Sequence, residues 1–240
     1  MIVLITGGAS GLGEAITKKI AGQPDTRVYF SYSQSAERAR ELESEYPDSK
    51  AIKCDFRKPE EVAALAGIIR ELDIDVLINN AYNGSFIETY FHKTEPEDFL
   101  EAFNNNIVPT ITLTGAAINV FRKKRSGKII TVSSAALTNV PPLGSSVYAA
   151  TKAYLEQLSK AWASENARFN ITSNIISPGF MLTSLTAGMD ERTIEQIQSS
   201  HPLKKLLTTA EAADSVWFLI NSGRQINGVN LLINGGIDMR

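Results

Sequence analysis

Short runs rich in Val and Ile alternate along this chain with stretches whose apolar residues recur every third or fourth position. No other feature restricts the possible folds so strongly. A run of about four to eight such residues bounded by turn signals suits a strand buried on both faces, and an amphipathic stretch between two runs suits a helix crossing to the next parallel strand. Seven runs fit: Ile2–Ile5, Arg27–Ser31, Ala51–Cys54, Val76–Asn79, Lys128–Val132, Ile171–Ile176 and Asn230–Ile233. Between them, Leu12, Ile16 and Ile20 fall on one helical stripe, and Val62, Leu65, Ile69 and Leu72 on another. Residues 1–240 therefore read as one α/β domain, a doubly wound parallel sheet of about seven strands with helices on both faces.

Two helix starts carry capping-box chemistry, Thr94-x-x-Glu97 with Pro96 in the first turn and Thr208-x-x-Glu211, where hydroxyl and carboxylate each satisfy a backbone N–H. The longest connection, about 182–207, departs from the alternation and is expected to form a lid over a substrate site. Composition then removes whole classes of function. The balance of 24 Lys+Arg against 26 Asp+Glu, a net charge of −2, argues against a nucleic-acid partner. No apolar run approaches the ~18 residues of a membrane span, and Met1-Ile2-Val3-Leu4-Ile5 lacks the basic start of a secretion signal. The single Cys54 has no partner for an internal disulfide, so the expected compartment is reducing and cytoplasmic. With only His92 and His201, each read as a loop or surface residue, no metal-ligand cluster is expected.

The first run ends in Thr6-Gly7-Gly8-Ala9-Ser10-Gly11-Leu12-Gly13, from which the Leu12/Ile16/Ile20 helix departs. Glycines let backbone N–H groups approach an anion closely, and the positive end of the helix dipole faces the same point. This turn is not a phosphate-binding P-loop, because Glu14 stands where that motif needs Lys, and it is not G-x-G-x-x-G, because Ile16 stands at the last position. What remains is Thr-Gly-x-x-x-Gly-x-Gly. Together with Asn79-Asn80-Ala81, Asn106, Ser134, Tyr148-x-x-x-Lys152, Pro178-Gly179 with Thr183, and Asn234-Gly235-Gly236, it resembles the short-chain dehydrogenase/reductase family over essentially the whole chain. That resemblance implies a Rossmann-type fold, a nicotinamide dinucleotide cofactor and reversible hydride transfer between that cofactor and a carbonyl or secondary alcohol.

Tyr148 and Lys152 lie four apart in a helical pattern, so both project from one face. A free tyrosine titrates near about 10, and a nearby ammonium is expected to lower it. By resemblance, Tyr148 exchanges the proton, Lys152 lowers its pKa and binds the nicotinamide ribose, and Ser134 orients the carbonyl oxygen, with Ser133 in reserve. Asn106 matches the family asparagine at a helix distortion, whose backbone holds a water leading to the lysine.

The resemblance also assigns the cofactor contacts: Gly7, Ser10, Gly11, Leu12 and Gly13 at the phosphates, Asp55 with Phe56 at the adenine, Asn80 and Ala81 at the adenosine ribose, and Pro178, Gly179, Met181 and Thr183 at the carboxamide. The window Phe30-Ser31-Tyr32-Ser33-Gln34-Ser35 lacks the acid an NAD site expects, while Tyr32, Ser33, Gln34 and Arg38 can receive a 2′-phosphate. NADP(H) is therefore favoured over NAD(H). Ser10 and Ser33 stand against this, at positions where NADP-dependent members often carry basic residues. A further departure is Tyr82, where the family usually has Gly.

A cofactor-binding regulator would show decay of the Tyr/Lys/Ser/Asn set, and halohydrin dehalogenase-like lyases of this fold replace the glycine turn and carry Arg at the place of Lys152; neither pattern is present. Within the family the chain looks most like the 3-oxoacyl carrier-protein reductases, with sugar and polyol reductases as the alternative. Specificity is expected in Tyr82–Lys93, Thr138–Ser146 and Leu182–Leu207. A homodimer or homotetramer is implied by resemblance, through helices around Glu95–Lys124 and Tyr148–Glu165.

Overall fold

In the computed structural model, which describes residues 1–87, 89–138 and 140–237, the Val- and Ile-rich runs become the strands of one sheet. They are β1 (Ile2–Ile5), β2 (Arg27–Tyr32), β3 (Ser49–Lys53), β4 (Val76–Asn79), β5 (Gly127–Val132), β6 (Ile171–Pro178) and β7 (Asn230–Ile233). Every pairing is parallel, in the order β3-β2-β1-β4-β5-β6-β7. Strand parity builds two cores. Val3, Ile5, Val76 and Ile78 face one side, against Leu12, Ile16 and Ile20 of α1 (Gly11–Ala21). Ala39 and Leu42 of α2 (Ala36–Glu45) and Val216 and Leu219 of α8 (Thr209–Asn221) complete that layer. Leu4, Leu77 and Ile129 face the other way, against Val62, Leu65 and Ile69 of α3 (Pro59–Leu72) and Leu113 and Phe121 of α5 (Val108–Lys124). This is the doubly wound arrangement, whose crevice opens at the carboxyl ends of β1 and β4, where the strand order reverses.

The expected strand bounds hold at β1, β4 and β7 and shift elsewhere. At the sheet edge, β3 begins two residues earlier than Ala51, because pairing with β2 starts at Val28↔Ser49. There β3 is less covered than the central strands, and Lys50 and Lys53 are exposed on its two faces. The first capping box is displaced by one residue. Helix α4 (Pro96–Ala102) is capped by Glu95, whose backbone N–H donates to the Asp98 carboxylate at 2.9 Å, while the Thr94 hydroxyl donates back to the Tyr90 carbonyl. The Thr208/Glu211 box stands as expected at α8, with Thr208 N–H to Glu211 at 2.9 Å and Glu211 N–H to the Thr208 hydroxyl at 3.2 Å. The long connection 182–207 carries α7 (Glu191–Ser200), which has no fully buried residue and is capped by Asp190. No helix among the described residues is long and apolar enough to cross a membrane.

Candidate active site

One cleft of about 1290 Å³ runs along the carboxyl edge of the sheet, from Ser33 and Phe56 at one end past the glycine turn to Tyr148 and Pro142 at the other. The glycine turn owes its shape to absent side chains. A Cβ at Gly13 would stand 2.0 Å from the Gly7 carbonyl oxygen and 2.5 Å from Asn80 Nδ2, and Gly7 itself has φ +66°. Asn80 ties the turn to β4, its Nδ2 donating to the Thr6 and Gly7 carbonyls at 2.9 and 3.1 Å. The Ser31 hydroxyl accepts from Gly7 N–H at 3.0 Å, a contact with no sequence signal of its own. Ser10 is the N-cap of α1 but its side chain makes no capping bond, so the first-turn N–H groups face the cleft. This cradle fits an anionic pyrophosphate.

At the other end, α6 (Ser146–Asn166) presents Tyr148 and Lys152 from one face, both buried. The Ser134 hydroxyl hydrogen-bonds with the Tyr148 phenol. Ser133, the reserve choice, is buried with its Oγ lacking a hydrogen-bond partner. Lys152 Nζ donates to the Val132 carbonyl at 2.9 Å and stands 5.8 Å from the centre of the Tyr148 ring. The expected depression of the phenol by that ammonium is not what the structure gives: burial pushes Tyr148 up from its ordinary value, and the Ser134 bond pulls the other way. Burial also pushes the Lys152 ammonium down to about 8.

Asn106 lies in a π-helical turn, Phe103–Ile107, where α4 runs into α5. This is the expected helix distortion, of a type frequent at functional sites. Its side chain grips Asn83 twice, Oδ1 accepting from Asn83 N–H at 2.7 Å and Nδ2 donating to the Asn83 carbonyl at 2.9 Å. The Asn106 carbonyl accepts from the Thr110 hydroxyl at 2.7 Å. Asn83 and Phe86, whose ring meets Tyr148 edge-on at 5.0 Å, fall in the expected specificity segment Tyr82–Lys93 but carried no individual sequence signal. On the opposite wall, Thr183 lies 3.5 Å from where a Gly11 Cβ would be. Its N–H donates to the Thr186 hydroxyl, which donates in turn to the Met181 carbonyl, and this fixes the stretch from Pro178.

At the end expected to take the adenosine, the cleft is lined by Tyr32, Ser33, Gln34 and Phe56. Asp55 is buried and held by Arg57 in a two-pronged ion pair, Nε to Oδ1 at 2.9 Å and Nη2 to Oδ2 at 2.6 Å, which brings its carboxyl down to about 2. Arg38, expected to receive a 2′-phosphate, is instead committed to Glu14 at 2.6 Å and to Glu41. The guanidinium that lines the cleft is that of Arg57. His201, expected at a loop or surface, lies in the loop after α7, where it is 8% exposed and lines the cleft, its Nδ1 accepting from Leu203 N–H. Glu88 and Asn139, within two of the expected specificity segments, lie outside the described residues. Among the described residues no cluster of potential metal ligands occurs.

The family model described as Enoyl-(Acyl carrier protein) reductase matches residues 7–238. An acetoacetyl-CoA reductase from Acinetobacter sp. is 30% identical, with 99% of this chain and 98% of that protein covered. Carbonyl reductase family member 4 of Xenopus tropicalis is also 30% identical, covering 100% and 98%. The 3-oxoacyl-acyl-carrier-protein reductase FabG of Escherichia coli is 29% identical, covering 99% and 97%. A short chain dehydrogenase from Burkholderia cenocepacia, solved in complex with NADP, superposes with a TM-score of 0.86 at 29% identity, covering 99% and 97%. With its sheet order, its glycine cradle and its Ser/Tyr/Lys grouping in one cleft, the chain belongs to the short-chain dehydrogenase/reductase family of nicotinamide-dependent oxidoreductases.

Proposed function

We propose that this protein reduces an apolar acyl carbonyl, of the 3-oxoacyl thioester class, to the secondary alcohol with NADPH, and runs the reverse oxidation. The observation that carries this reading is the meeting of Ser134, Tyr148 and Lys152 at one end of the cleft whose middle is the glycine turn. A bound nicotinamide supplies the hydride. Tyr148 holds the proton at its Oη and releases it to the carbonyl oxygen, and its raised pKa keeps it in the protonated form that reduction needs near neutrality. The Ser134 hydroxyl, already at the phenol, turns to orient that oxygen, and Lys152 holds the ribose and keeps a positive charge beside the reacting pair. Asn106 holds the loop that carries Tyr82 and Asn83 against α4 and α5.

The substrate half of the cleft is lined by Phe86, Ile87, Val140 and Pro142, and Val140 is 83% exposed. Such a mouth suits an alkyl chain; a polyol would need paired donors and acceptors in their place. The names of the acetoacetyl-CoA and 3-oxoacyl reductases among the relatives support the same class. Ser33, Gln34 and Arg57, with no carboxylate in Phe30–Ser35, support NADPH over NADH, as does the NADP-bound neighbour. In this reading 182–207 is the lid, since Thr193 and Ile197 of α7 line the cleft. Exposed Leu100, Val108, Ile111 and Tyr154 support a homodimer or homotetramer through α4, α5 and α6. The test is the loss of reduced-nicotinamide absorbance with both cofactors across acyl thioester, sugar and diketone substrates. Turnover of thioesters or alkyl diketones with NADPH is the expected result; preference for sugars overturns the substrate class, and no turnover of any carbonyl overturns the activity.

A further inference from the structure

Tyr82 stands where relatives of this family usually have glycine, and its ring occupies the heart of the reacting group. It meets the Tyr148 ring edge-on with centroids 5.2 Å apart, and Lys152 Nζ lies over its face at 5.1 Å from the centroid. The backbone on either side is pinned. Ala81 N–H donates to the Thr6 hydroxyl at 3.0 Å, and Asn83 is gripped at both its N–H and its carbonyl by Asn106. The loop also reserves room for the ring: Gly84 has φ +138°, and a Cβ there would lie 3.1 Å from the Tyr82 phenol oxygen. The position of the Tyr82 ring is therefore set by β1, β4 and the π turn together.

Lys152 is 4% exposed, and among the described residues no carboxylate or second cation acts on it. The groups that face it are the Val132 carbonyl at the end of β5, the Tyr148 ring from its own helix, and the Tyr82 ring from the loop after β4. A buried ammonium with one carbonyl acceptor keeps two of its three protons for other partners. An aromatic face within about 6 Å attracts a cation through its quadrupole, and more strongly when the cation is desolvated.

We propose that Tyr82 is a positioning residue for the Tyr148–Lys152 pair, its ring face holding the Lys152 ammonium in the charged form and its edge setting the plane of the Tyr148 phenol. This deepens the carbonyl-reductase reading and rests on it only for the catalytic consequence. A glycine at this place would offer no such face. The direction follows from the charge distribution. The ring stabilises the protonated lysine, so its removal lowers the Lys152 midpoint and draws the alkaline limb of reduction to lower pH.

The test is NMR of protein carrying carbon-labelled lysine, with the Lys152 signal assigned from Lys152→Met and its titration followed without substrate. Tyr82→Leu, which keeps bulk and removes the face, is expected to lower the midpoint by about one pH unit, while Tyr82→Phe leaves it within a few tenths. If Tyr82→Leu does not fold, mono-, di- and trifluorinated phenylalanines at this position preserve the shape and drain the ring face stepwise, and a stepwise fall in the midpoint is expected. A midpoint unchanged across the series overturns the proposal. The titration is read in the protein alone, so it stands apart from the activity assay: absence of turnover with every carbonyl tested would overturn the reductase reading and leave the Tyr82–Lys152 contact to be judged on its own measurement.

Discussion

The phenol of Tyr148 and the ammonium of Lys152 are both out of water, and each responds as burial dictates, the phenol titrating higher and the ammonium lower. In the proposed mechanism, Tyr148→Phe removes the phenol that exchanges a proton with the substrate oxygen. Turnover is expected to fall by about a hundredfold to ten-thousandfold. Dinucleotide affinity, followed by intrinsic fluorescence, should stay near the wild-type value. For stability, the sign of the Lys152 effect is fixed by its lowered folded-state value of about 8 against an ordinary 10.5. Below about pH 8 both states carry the proton and the cost of burying the charge is fully present; between that value and about 10.5 the unfolded chain binds more protons, so stability from this group rises with pH. Lys152→Met is accordingly expected to raise the melting temperature more near pH 7 than near pH 10. A single glycine matters as much: Gly13→Ala would push a methyl into the Gly7 carbonyl, and it is expected to cost about 1–3 kcal/mol and to lose dinucleotide binding in the same fluorescence titration.

Among the elements, helix α8 shows local chemistry acting as the sequence says it should. Its N-terminal Thr208 and Glu211 satisfy each other's backbone N–H groups, and Ala212, Val216 and Leu219 bury against the sheet. Thr208→Ala is expected to lose about 1 kcal/mol, read as a lowered denaturation midpoint without change in cofactor affinity. Helix α4 shows the limit of such reasoning. Thr94-x-x-Glu97 and Glu95-x-x-Asp98 are overlapping candidates in the sequence, and Pro96 is accepted at the first helical position after Glu95. The π turn at Phe103–Ile107 has no local signature beyond three asparagines in a row, because it arises where α4 and α5 must bend to bring Asn106 onto Asn83.

On the scale of the molecule, the dinucleotide site is an edge of the whole sheet rather than a property of one loop. One end of the cleft is made by residues after β2 and β3, its glycine turn by β1 and α1, and its Tyr148 end by β4, β5 and α6. With a net charge of −2, the proposed binding of an anionic cofactor rests on backbone N–H groups, hydroxyls and Arg57 more than on an overall positive field. NADPH is expected to bind about tenfold tighter than NADH, equivalent to about 1.4 kcal/mol, with Arg57→Gln narrowing that gap. Equal affinity in paired fluorescence titrations would refute the reading of Ser31–Ser35. From sequence alone, the period of the apolar residues determined the seven strands and their flanking helices, and motif spacing marked out Gly13, Ser134, Tyr148 and Lys152 as partners, since periodicity and backbone need are local properties that a chain carries with it. Tertiary structure alone decided that Arg38 pairs with Glu14 while Arg57 faces the cleft, that His201 is buried, and that Tyr82 lies against Lys152. Those outcomes depend on which side chains meet across elements far apart in sequence, and at that distance only packing chooses the partner.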